Sequence, residues 1–161
     1  MISLQCQLET AIRLATQYHS GQKDKAGKPY ILHPLWVMNK VNSIEAKIVA
    51  VLHDVLEDTS LTKDDLIAHE FNEDIVNAIE LLTKSKNQSY ESYIENISKN
   101  KLATEVKMAD LLHNMDLTRL KDITFKDLTR SQKYMKAYNQ LETSLREHDI
   151  HEEKQTRIKS I

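Results

Sequence analysis

The sequence predicts an all-α protein folded as a single compact helical bundle, on three observations. Glycine and proline number four in 161 residues, at Gly21, Gly27, Pro29 and Pro34, so the chain from Leu35 onward lacks the turn punctuation a many-stranded architecture needs. Apolar residues recur three and four apart in one segment after another, the period of an amphipathic helix. The length suits one domain around one core.

Leu4, Leu8, Ile12 and Ala15 share one face of a helix expected over 4–20, which Gly21 closes. A polar loop over 22–33 follows, carrying Lys23, Lys25 and Lys28. Pro34 suits the first turn of a second helix, where its missing N–H costs nothing, and this puts His33 at the helix mouth. Residues 44–58 read as a buried central helix, nearly apolar around its circumference from Ile48 to Leu56. Thr62 and Asp65 have the spacing of a capping box and open a short helix reaching about Glu70. Helices are expected again over 72–82, 89–98 and 102–120, with Ile75, Ile79, Tyr93, Ile97, Val106 and Ala109 on their inner faces. The last runs over about 125–148. The domain is read as 1–161, with a core over about 4–148 and a charged, frayed tail over 149–161.

Composition excludes several function classes. No apolar run approaches the ~20 residues of a membrane span, and the N-terminal residues have no signal-peptide pattern. The single cysteine, Cys6, cannot form an internal disulfide, so a reducing cytoplasm is the expected compartment. A net charge of -2 with both signs interspersed offers no field for nucleic acid. No glycine-rich phosphate loop is present, so nucleotide chemistry would fall to side chains and metal. An apolar helix face left exposed would support a homo-oligomer.

The chemistry concentrates at four places. His53 and Asp54 lie inside Val49-Ala-Val-Leu-His-Asp-Val-Leu56, and Asp110 inside Val106-Lys-Met-Ala-Asp-Leu-Leu112. Polar groups in such apolar surroundings are costly unless paired or bound to a metal. With His33 they make a mixed nitrogen and oxygen donor set suited to Mn²⁺, Fe²⁺ or Zn²⁺, which would make a hydroxide available near neutral pH. Glu57 and Asp58, one turn beyond His53 and Asp54, could orient or deprotonate water and assist a leaving oxygen. Asn114, four residues after Asp110, would face the same site and bond a ribose hydroxyl or phosphate oxygen. His19 and His113 read as hydrogen-bonded structural histidines near the site, whereas His69, His148 and His151 lie on polar surfaces.

These residues, in this order, resemble the HD superfamily of metal-dependent phosphohydrolases, and more narrowly the hydrolase domain of the RelA/SpoT alarmone enzymes. The resemblance is carried by Gly21-Gln22, Gly27-Lys-Pro-Tyr-Ile-Leu-His-Pro34, Leu52-His-Asp-Val-Leu-Glu-Asp-Thr59, Leu82-Thr-Lys84 and Val106-Lys-Met-Ala-Asp-Leu-Leu-His-Asn-Met115. It implies an all-helical HD-domain bundle that holds Mn²⁺, or another divalent transition metal, through His33, His53, Asp54 and Asp110. Glu57 and Asp58 would be the catalytic pair. Lys25, Asn114 and Tyr134 match substrate-contacting positions. The implied reaction is hydrolysis of guanosine tetra- or pentaphosphate at the 3′ position, releasing pyrophosphate, by a stand-alone small hydrolase. One position departs: the family usually has an arginine where this chain has Asp24, an acid that cannot stack on a purine and would repel phosphate. Lys23 and Lys28 are nearby cations that could compensate. The departure keeps open hydrolysis of another nucleotide or phosphorylated cofactor, and beyond that a non-catalytic nucleotide-binding module.

Overall fold

Serine, threonine and asparagine side chains set where most helices begin. The structure, a computed structural model, describes residues 2–159. Ser3 Oγ accepts from the Cys6 amide at 3.2 Å and starts α1 (Leu4–Tyr18). Ser43, Ser89 and Asn100 cap α3 (Ile44–Leu52), α7 (Tyr90–Ser98) and α8 (Lys101–Met115) in the same way. Each such cap satisfies an amide that the helix leaves unpaired. The capping box at Thr62 and Asp65 forms as expected and opens α5 (Lys63–Ala68). The remaining helices are α2 (Leu32–Lys40), α4 (Val55–Asp58), α6 (Glu73–Leu82) and α9 (Phe125–Lys159). Among the described residues no strand is present beyond a single antiparallel bridge, Lys23 to Pro29.

α3 is the centre of the bundle. Ala46, Ile48, Val49, Ala50, Val51 and Leu52 are all buried, and α1, α2, α6 and α8 pack around them. Each large aliphatic side chain so buried contributes about 1.5–3 kcal/mol, and together they make a rigid platform under the residues at the C-terminal end of α3. Gln7, buried on α1, bonds Asn72 through both ends of its amide, at 2.9 and 3.0 Å, and ties α1 to the start of α6.

Three expectations about helix extent are corrected. The central helix is not continuous over 44–58: His53 Nδ1 donates to the Ala50 carbonyl at 2.6 Å, the oxygen that would receive the Asp54 amide in an unbroken helix. α3 therefore ends at Leu52 and α4 begins at Val55. The helix expected over 102–120 stops at Met115, because Asp116 Oδ1 takes the Thr118 amide and hydroxyl and turns the chain into a 3₁₀ segment, Leu117–Arg119. The tail over 149–159 is helical rather than frayed, continuing α9 to Lys159. Lys101 Nζ reaches Asp149 at 2.8 Å and Glu152 at 2.6 Å, and His148 Nε2 donates to the Ser98 carbonyl at 2.8 Å. Residues 160 and 161 of that tail, and Met1, lie outside the described residues.

The loop before α2 is ordered by one carboxylate. Asp24 Oδ1 accepts the amides of Ala26 and Lys28, each at 2.9 Å, and the Asp24 carbonyl accepts that of Gly27 at 3.0 Å. Gly27 sits at φ +78°, where a side chain would be strained.

A candidate metal centre at the floor of a cavity

Four side chains from three parts of the bundle converge. His33 comes from the first turn of α2, His53 and Asp54 from the α3–α4 break, and Asp110 from the middle of α8. His33 Nε2 lies 3.0 Å from Asp110 Oδ1 and 3.7 Å from Asp54 Oδ2. His53 Nε2 lies 2.9 Å from Asp54 Oδ2 and 3.5 Å from Asp110 Oδ1. Ligand atoms of His33, His53 and Asp54 all fall within 4.8 Å of one another, a group able to hold a metal ion.

The chemistry of this donor set fits a divalent cation. His53 spends its Nδ1 proton on Ala50, which leaves Nε2 aimed inward, and this buried nitrogen has no aligned hydrogen-bond partner despite the carboxylates beside it. Atoms that approach closely without the alignment of a hydrogen bond are what ligands around an ion look like. Burial opposes a charge on His53, yet the neighbouring Asp54 and Asp110 hold its pKa well above the usual imidazole value. The spot therefore attracts positive charge. Burial also works against ionised Asp54 and Asp110, but His53 holds the first low, to about 2, and Lys107 with the two histidines holds the second low. Both carboxylates stay ionised, as ligands must.

Neighbouring side chains orient three of these four, Asp54, Asp110 and His33. Tyr30 donates its hydroxyl to Asp54 Oδ2 in a very short contact. Lys107 Nζ contacts Asp110 Oδ2 at 2.7 Å, and Asn114 Nδ2 donates to Asp110 Oδ1 at 2.7 Å. His113 Nδ1 is 2.6 Å from His33 Nδ1, and burial with Arg119 nearby pushes the His113 pKa down to about 4. His19 Nδ1 bonds Gln22 at 2.8 Å. Both histidines are thus hydrogen-bonded near the site. Tyr30 and Lys107 were not singled out from sequence, although each stands three residues before a predicted ligand, Lys107 one turn from Asp110 on α8 and Tyr30 in the turn that leads into α2.

A cavity of about 380 Å³ opens over His33, Asp54 and Asp110, a size suited to a nucleotide-scale ligand. Lys25, Asn114 and Tyr134 line it, and Arg119 and Arg130 join them from the segment after α8 and from α9. Asp24 also lines it, but its charge is met by Arg119, at 3.4 Å. Glu57 and Asp58 stand on α4 at the surface, outside the cavity lining. Partial burial and the charge of Asp54 raise the pKa of each. The same causes move both, so the environment does not separate them as an acid and a base.

The chain is similar to several known proteins. A guanosine-3′,5′-bis(diphosphate) 3′-pyrophosphohydrolase of Borreliella burgdorferi is 36% identical over 121 residues, 65% of this chain and 18% of that protein. The protein of the same name from Aquifex aeolicus is 36% identical over 121 residues, 68% of this chain and 17% of its own. A GTP pyrophosphokinase of Streptomyces coelicolor is 31% identical over 126 residues, 70% of this chain and 15% of that protein. The chain thus spans less than a fifth of the length of these curated relatives. The solved structure of a metazoan ortholog of SpoT, described as hydrolyzing ppGpp and acting in starvation responses, superposes with a TM-score of 0.70 at 24% identity, covering 91% of this chain and 94% of that one. That likeness establishes the shared helical fold. The HD domain profile matches residues 11–156, nearly the whole bundle and every residue of the converging cluster, and the chain belongs to the HD domain family.

Proposed function

We propose that the protein is a metal-dependent phosphohydrolase that removes pyrophosphate from the 3′ position of guanosine 3′,5′-bis(diphosphate) and its pentaphosphate. The observation that carries the reading is the convergence of His33, His53, Asp54 and Asp110 on one point beneath a cavity rimmed by Lys25, Arg119 and Arg130. The names of the relatives and the solved ortholog support the choice of substrate. Imidazole among the donors favours Mn²⁺ over Mg²⁺ as the resident ion. A divalent ion held there supplies charge neutralisation on phosphate and an activated water.

The side chains divide the remaining work. Lys25 draws the phosphate groups to the cavity by charge, while Arg130 lines it paired with Asp127. Asn114 is half committed to Asp110, and its second N–H and its carbonyl oxygen stay available to a ribose hydroxyl or phosphate oxygen. Tyr134, on α9, offers its ring and hydroxyl to the nucleotide. Glu57 and Asp58 stand on α4 near Asp54, outside the cavity lining, and one would take the proton of the attacking water while the other supports the departing 3′ oxygen. The new bond joins water oxygen to phosphorus, the phosphorus–O3′ bond breaks, and the proton goes to O3′. The products are pyrophosphate and the guanosine 5′-di- or triphosphate. An exposed Cys6 is in keeping with a reducing cytoplasm, and among the described residues no helix is long and apolar enough to cross a membrane.

Asp24 favours a second reading, the same chemistry on another nucleotide or phosphorylated cofactor. Its pairing with Arg119 counters that reading, because the guanidinium offsets part of the phosphate repulsion expected of Asp24. The deciding experiment is product release by the Mn²⁺-loaded chain, comparing guanosine tetraphosphate with ordinary nucleotides and 3′-phosphorylated cofactors. Selective release of pyrophosphate from the alarmone supports the first reading. Turnover only of other compounds transfers the mechanism to them, and silence on all favours a binding module.

A further inference from the structure

His113 has no part in the reaction above, yet it makes a close contact with a ligand of the site. Its Nδ1 lies 2.6 Å from His33 Nδ1, with the two rings 7° from parallel and their centroids 4.9 Å apart. That separation equals the nitrogen–nitrogen gap plus about one ring's width, so the imidazoles lie edge to edge in a common plane, the arrangement of an N–H···N hydrogen bond. The face of His113 rests on Trp36, centroids 4.3 Å apart and planes 17° from parallel. Arg119 Nη1 donates to the His113 carbonyl at 3.0 Å and holds the backbone at the end of α8. Stacked on its face and tied at its backbone, the ring is not free to turn away.

A hydrogen bond between two Nδ1 atoms contains one proton, and the other end of His33 says whose it is. His33 Nε2 faces Asp110 Oδ1 and Asp54 Oδ2. For that nitrogen to offer a lone pair to a cation, the neutral ring must carry its proton on Nδ1. We propose that His113 is a positioning residue: its Nδ1 accepts the Nδ1–H of His33 and so holds His33 in the tautomer and plane that present Nε2 to a divalent ion. The inference rests on the metal-dependent reading of the site. His53 reaches the same state by giving its Nδ1 proton to the Ala50 carbonyl. The two histidines therefore share one design, with a backbone acceptor in one case and a replaceable side chain in the other.

The test is the affinity of the full chain for Mn²⁺, measured by calorimetry in two variants beside the unaltered protein. His113→Phe keeps a flat ring against Trp36 and removes the acceptor. His113→Asn gives up most of the stacking but places an amide oxygen where Nδ1 stood. An acceptor role predicts Mn²⁺ binding weakened roughly 10–100-fold in His113→Phe and largely recovered in His113→Asn. A packing role predicts the reverse order, and either that order or unchanged binding in His113→Phe overturns the inference. Should the Phe variant fail to fold, ¹⁵N imidazole spectra of the Zn²⁺-loaded unaltered chain decide: Nδ1–H on His33 and Nε2–H on His113 support it, and the opposite assignment sinks it. An unaltered chain that binds no divalent ion overturns this inference and the metal-dependent reading together, whereas Mn²⁺ binding with an indifferent His113→Phe overturns this one alone.

Discussion

Asp24 Oδ2 and Arg119 Nη2 meet at 3.4 Å across the cavity rim, joining residues 95 positions apart. The other oxygen of Asp24 holds the amides of Ala26 and Lys28, so one carboxylate both builds its loop and restrains a guanidinium. Partial burial works against the charge, but those amides and Arg119 outweigh it and keep the acid ionised. Asp24→Asn retains an oxygen for the two amides, removes the negative charge and releases Arg119. The expected result is a KM for guanosine tetraphosphate lowered about 2–5-fold with kcat little changed, the scale of a partly buried surface ion pair. Steady-state kinetics at low and high salt check it, and the gain should fade as salt screens the rim. A raised KM would mean instead that Asp24 aims Arg119 at the substrate.

Removal of divalent ions tests the donor set itself. Dialysis against a chelator should abolish turnover, and Mn²⁺ should restore a higher rate than Mg²⁺, which prefers an all-oxygen shell. Full recovery with Mg²⁺ and none with Mn²⁺ would contradict ligation through His33 and His53.

Glu57 and Asp58 are assigned to proton transfer, so Glu57→Gln and Asp58→Asn should each lower kcat by roughly 10²–10⁴-fold. Neither is placed among the ligands, so Mn²⁺ affinity measured by calorimetry should stay close to that of the unaltered chain. Turnover that survives either change removes that residue from the mechanism, and lost Mn²⁺ binding would make it a ligand.

What could be read from sequence, and what could not, divides along the range of the interactions. The helices announced themselves through local spacing, and Thr62 and Asp65 through a capping box four residues long. His53, Asp54 and Asp110 were legible because polar groups in apolar segments need a reason, His33 because Pro34 marks a helix mouth, and the four converge. The break at His53 was hidden, because it depends on a ring turning back to its own Ala50 carbonyl, which no apolar pattern records. The helical tail depends on Lys101 meeting Asp149 and Glu152 from another helix. Arg119 escaped notice for the same reason: its partner Asp24 is distant in the chain, and only the 3₁₀ turn after α8 brings the two together. From sequence, Lys23 and Lys28 are cations that could compensate for Asp24; the structure pairs it with Arg119.

The two carboxylates proposed for proton transfer should weaken the fold at neutral pH. Partial burial, then the charge of Asp54, raise both Glu57 and Asp58 above their ordinary values. A carboxyl with a folded-state pKa above its unfolded one binds its proton more tightly when folded. Stability therefore falls as pH climbs from the ordinary carboxylate range through the raised value, and the penalty is complete above it. Both groups are solvent-exposed, so the penalty is screened and small. Glu57→Gln and Asp58→Asn remove the charge with little change of shape, and each should raise the Tm of the metal-free chain by roughly 1–3 °C near pH 7. In acid, where the carboxyls are already protonated, the advantage should vanish. Thermal melts of the metal-free variants at the two pH values measure it. A variant that is slower yet more stable marks a site where charge is kept for chemistry at the expense of the fold; one that is slower and less stable would place these carboxylates among the supports of α4.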